Sequence, residues 1–94
     1  MGNYPVARIE IQDARLVIVF PDAEFDAKTP EERRAAHEAL AAGAAREGLV
    51  GDVVLVWRDR SGAMRFLAPP EQHPFLQVVH YDQLRAQANG TLHA

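Results

Sequence analysis

Four histidines, thirteen carboxylates and nine arginines carry most of the chemistry available to this 94-residue chain, which has no cysteine and a single serine. A metal site needs ligands that converge, and on a helix two histidines do so one turn apart. His37-Glu38 opens like the helix of a zinc protease, but the position one turn on is Ala41 rather than a second histidine. His73, His80 and His93 are spread over a proline-rich loop, an ambiguous segment and the last residues, so they read as solvated surface groups. Asp22, Glu24 and Asp26 alternate carboxylates as a calcium loop does. Ala27 then replaces the glycine of the sharp turn, and Arg33 stands where a bidentate glutamate belongs.

Nucleophilic chemistry has equally little support. Ser61 lies in turn-forming sequence with no Gly-x-Ser-x-Gly elbow around it, and Gly43, Gly48 and Gly51 lack the Gly-Lys-Ser/Thr ending of a phosphate loop. The absence of cysteine rules out disulfides and thiolate-bound zinc. No catalytic residue, metal or cofactor is therefore expected. Arg58, Arg60 and Arg65, next to Trp57, form the densest positive cluster, and arginines beside an aromatic suit phosphate contact with base stacking. Asp52 and Asp59 dilute that cluster, and a net charge of −3 supplies no overall field to draw in nucleic acid.

Four strands and two helices are expected to position these groups. Val6–Ile11 alternates, with Ala7, Ile9 and Ile11 on one face and Arg8 and Glu10 on the other. Within residues 15–20, those at 16–20 form an unbroken apolar run that predicts a strand buried on both faces or lying centrally, joined to the first by a tight hairpin at Gln12-Asp13. Pro21 ends it, and an acidic loop anchored by Phe25 follows. The helix between Thr29 and Gly48 is written most clearly: Thr29 caps it, Pro30 occupies its first position and Glu32 completes a capping box. Ala35, Ala36, Ala39, Leu40, Gly43 and Ala44 form its small-residue face, with Arg34, Glu38 and Arg46 opposite, and Gly48-Leu49 reads as a left-handed C-cap.

Val53–Trp57 repeats the central-strand pattern, and Asp59-Arg60-Ser61-Gly62 turns it into a more amphipathic strand over Met64–Leu67. Pro69-Pro70 stops that strand, Pro74–Ala88 is read as a second helix with a short strand at 76–79 as its alternative, and Asn89-Gly90 ends it. The order ββαββα implies an α+β two-layer sandwich in a single domain over residues 1–94, with a four-stranded, mainly antiparallel sheet, helices on one face, and residues 1–5 and 90–94 frayed. No stretch is long enough to span a bilayer, and Met1–Pro5 lacks the pattern of a signal peptide. Val6 breaks the myristoylation motif that Met1-Gly2 suggests, so a cytoplasmic location is expected.

The functional expectation is a small non-catalytic protein-binding or regulatory module that acts through self-association or a protein partner. Strands this rich in valine, leucine and isoleucine leave edges and apolar surface for such contacts. The candidate contact residues are Trp57, Met64, Phe66, Phe75 and Tyr81, because aromatics and methionine are enriched at interface cores. Two alternatives belong to other classes: a nucleic-acid module using Arg58, Arg60 and Arg65, and a small enzyme assembling carboxylates with His80 or His37 across a dimer cleft.

Overall fold

Residues 16–20 and 53–57 are apolar at every position, and strands of that kind are stable only when both of their faces are covered. The computed structural model describes residues 3–11 and 14–93, apart from the side chains of residues 11, 23 and 93, and it covers both faces of these strands. The chain runs β1 (Asn3–Ile11), β2 (Ala14–Val19), a 3-10 turn (Ala23–Ala27), α1 (Pro30–Arg46), β3 (Asp52–Arg58) and β4 (Met64–Leu67). A second 3-10 turn (Pro70–Gln72), α2 (His73–Leu76), α3 (Tyr81–Ala86) and β5 (Gly90–His93) complete it.

The sheet has five strands in the order β4-β3-β2-β1-β5 and is mixed. β2 and β3 are parallel, Val17 beside Val53 and Val19 beside Leu55, whereas the other three pairs are antiparallel. The fold is α+β as expected, but the four-stranded sheet with helices on one face is corrected on two counts. Parallel neighbours need a crossover, which α1 supplies on one side of the sheet. α2 and α3 lie on the other side, where Leu76 and Leu84 join a separate core with Leu16, Ile18, Val54 and Val56.

The fifth strand comes from residues expected to fray. Asn3 pairs with His93, Tyr4 with Leu92 and Pro5 with Thr91, and Leu92 is fully buried against the α1-side core. Residues 1, 2 and 94 of those expected frayed ends, and the hairpin residues Gln12-Asp13, lie outside the described residues, although β1 and β2 pair as far as Ile11 and Ala14. The expected helix over Pro74–Ala88 is two short helices. His80, at φ −98° and ψ 146°, is extended and starts α3 afresh.

α1 forms where its caps predict. The Thr29 hydroxyl accepts from the Glu32 amide at 3.1 Å, and the Glu32 carboxylate accepts from the Thr29 amide at 2.8 Å, which lowers the Glu32 pKa from its ordinary value. At the other end Leu49 N–H donates to Ala44 O and Gly48 N–H to Ala45 O, the paired bonds of a Schellman cap. Its buried stripe is Leu40, Gly43 and Ala44, with Arg33, Ala36 and His37 half-buried; Ala35 and Ala39, expected within that stripe, face solvent. The stripe is rotated because His37 turns inward, its Nε2 donating to Val53 O at 2.7 Å. Gly51 lets β3 start beside β2, since at its φ of 140° a Cβ would stand 2.5 Å from Arg15 O.

Candidate binding edge

The turn after β3 sets the geometry of the free edge. Gly62, at φ 87°, donates to Asp59 O, and Asp59 N–H donates to Ala63 O, so a three-residue loop ends in a left-handed position that glycine fills without strain. The Asp59 carboxylate holds the loop together by accepting from Ser61 N–H, Ser61 Oγ, Ala63 N–H and Arg65 Nε at 2.6–3.0 Å. The Ser61 hydroxyl first, and then the Arg65 guanidinium, lower its pKa from 3.8 to about 2.

Because Asp59 and Ala63 are a hydrogen-bonded pair, alternation along the antiparallel ladder makes Trp57–Arg65 and Leu55–Leu67 hydrogen-bonded pairs as well. The amides and carbonyls of Met64 and Phe66 then point away from the sheet, where no described strand meets them. The next carbonyl in that series, Ala68 O, accepts from His73 Nε2 at 3.0 Å, so the open stretch is short.

Side chains alternate across the same edge. Met64 and Phe66 point to the α2/α3 side, where they join Phe75, Val79 and Tyr81 as a half-buried fringe of the second core. The His73 ring meets Phe66 edge-on at 5.1 Å. Arg65 and Leu67 point to the α1 side, onto a groove of about 310 Å³ that is also lined by Pro30, Arg33, Arg34 and Trp57. Arg33 donates to the carbonyls of Phe25 and Asp26 and lies 3.7 Å from the Asp26 carboxylate. Arg34 is exposed and makes no ion pair among the described residues.

The five apolar contact candidates are therefore divided by the sheet. Met64, Phe66, Phe75 and Tyr81 share one side, while Trp57 lies on the other and is only 5% exposed. Its ring meets Phe25 edge-on at 4.7 Å, its indole N–H donates to Asp26 at 3.2 Å, and the Arg33 guanidinium lies over its face at 5.4 Å. The three arginines of the second hairpin are divided as well. Arg58 is on the α3 side, paired with Asp82 and 4.6 Å from the Tyr81 ring centre; Arg65 is on the α1 side, paired with Asp59; Arg60 projects from the loop between them.

Arg33, Arg34 and Leu67 were not candidates from the sequence. Nothing in the spacing of α1 and β4 announces that the first turn of one lies over the other, because that contact depends on the parallel crossover. Two other clefts among the described residues are built differently. One of about 360 Å³ lies by Arg8, Glu10 and Arg15, where Arg15 and Glu10 pair at 3.4 Å, and one of about 330 Å³ lies by Tyr4, Phe20, Asp22, Tyr81 and Arg85. Among the described residues no group of three His, Asp or Glu side chains converges as a metal site would, and no helix is long and apolar enough to cross a membrane. Comparison with family models, curated proteins and solved structures finds no match.

Proposed function

We propose that this chain is a small non-catalytic protein-binding or regulatory module, and that Met64, Phe66, Phe75 and Tyr81 are its contact residues, acting in self-association or toward a protein partner. The observation that carries the proposal is that all four lie half-buried on one side of the sheet, Met64 and Phe66 on the unpaired edge strand itself. Helices of only four and six residues cover that side, against seventeen on the other. Apolar and aromatic surface next to open backbone groups is the composition of a protein contact.

A benzophenone side chain at position 75 tests it in cell extract. Adducts of defined mass are expected there, with none from the same probe at Glu38 on the outer face of α1. Indistinguishable patterns from the two positions would overturn the proposal.

A further inference from the structure

Resting on that reading, we infer that the outer edge of β4 takes up an extended acidic segment of another protein as a sixth strand, with carboxylates alternating with apolar side chains. Two independent features of the edge define this occupant. The outward amides and carbonyls of Met64 and Phe66 supply the hydrogen bonds of strand addition, and Asp59 and His73 close the stretch at either end. The two sides of the edge then differ in chemistry.

A residue placed opposite Met64 or Phe66 shares their side of the sheet, where Met64, Phe66 and Phe75 form part of the half-buried fringe of the second core, so it must be apolar. A residue placed opposite Arg65 shares the other side, where Arg33, Arg34 and Arg65 surround the groove floored by Trp57 and Leu67. Asp26 and Asp59 neutralise Arg33 and Arg65, and Glu31 and Glu38 flank Arg34 along α1 without pairing with it. Arg34 is the guanidinium left to receive a carboxylate, and Arg65, with its side chain 64% exposed, has free donors to share.

The same charges disfavour a second copy as the occupant. Pairing β4 with itself brings Arg65 and Arg34 of both copies onto one side of the joined sheet, and like charges facing across a ladder oppose pairing. An acidic strand reverses the sign of that interaction.

The probe is an end-capped peptide of alternating valine and glutamate, about seven residues long to match an ordinary strand, titrated into the full chain. The control replaces glutamate with lysine. Binding is expected to slow exchange of the Met64 and Phe66 amides and to shift the emission of Trp57, the one tryptophan. The valine–lysine peptide, and the Arg34→Glu variant with the valine–glutamate peptide, should each bind at least about tenfold more weakly, the equivalent of 1.4 kcal/mol. Phe66→Pro removes an outward N–H that β3 does not use and should abolish binding, with Arg34→Glu on an exposed helical surface as the variant that keeps its fold.

Equal binding of the two peptides, or protection elsewhere than at Met64 and Phe66, overturns the inference. So does slowed exchange of those two amides in the protein alone as its concentration rises, because β4 would then be pairing with itself. If neither peptide binds while the probe at position 75 still forms its adducts, the acidic-strand inference fails and the contact-face reading stands.

Discussion

The side of the sheet under α1 and the side under α2 and α3 bury similar sets of valines and leucines but are closed by opposite means. α1 is a long, doubly capped helix whose buried residues are mostly small, so its backbone lies close to the strands and its own hydrogen bonds hold it in register. α2 and α3 are too short to be stable as isolated helices, and each is held chiefly by one fully buried leucine, Leu76 or Leu84. A side that carries its own local order can be closed by small residues. A side that lacks it depends on large plugs, and around those plugs a fringe of side chains stays half-buried.

The strongest way to break this contrast is to remove a plug. Leu84→Ala leaves a cavity under a six-residue helix and should cost about 3–5 kcal/mol in chemical denaturation, with amides 81–86 losing hydrogen-exchange protection before those of α1. Equal loss of protection on both sides would show that the two are one cooperative unit.

A smaller effect is expected where order is local. Thr29→Ala deletes one half of the capping box and should cost about 1 kcal/mol, read as a shift in the denaturation midpoint, with the first turn of α1 fraying and α3 unaffected. The smallest effect concerns the turn that ends the open edge. Because the folded-state pKa of Asp59 is lowered to about 2, its contribution is complete above about pH 4 and is lost as the pH falls toward 2. A carboxyl NMR titration should place its midpoint near 2, and protection of the Ser61 and Ala63 amides should disappear over the same range. A midpoint at the ordinary value would mean that the Ser61 and Arg65 contacts do not hold in solution.

What the sequence discloses follows the same division between local and distant causes. Thr29, Pro30, Glu32, Gly48 and Leu49 act within one turn of each other, so α1 and both of its caps were legible, and the Asp59–Gly62 hairpin was legible for the same reason. The apolar runs at 16–20 and 53–57 marked doubly covered strands. Their demand for helices on both faces conflicted with the one-sided sandwich, and the demand is what the fold obeys. Strand order was not legible, because the parallel contact of β2 with β3 and the antiparallel contact of β5 with β1 join residues far apart in the chain with no local mark. β5 was hidden further by its length of four residues behind the stop signal Asn89-Gly90. Of the candidate edge, Met64, Phe66, Phe75 and Tyr81 could be named as apolar candidates, but that they share one side of the sheet, apart from Trp57 and the arginine groove on the reverse side, could not be read.

The pairing of Asn3 with His93 has a mechanical corollary. Asn3 and His93 share one corner of the sheet, so a load applied between these two residues pulls β5 off β1 from that corner. The bonds of this ladder then carry the force one after another rather than together, like the teeth of a zip. Held at Asn3 and His93, the protein should begin to open at low tension, while the same load applied along β2 and β3 would have to shear a parallel ladder all at once.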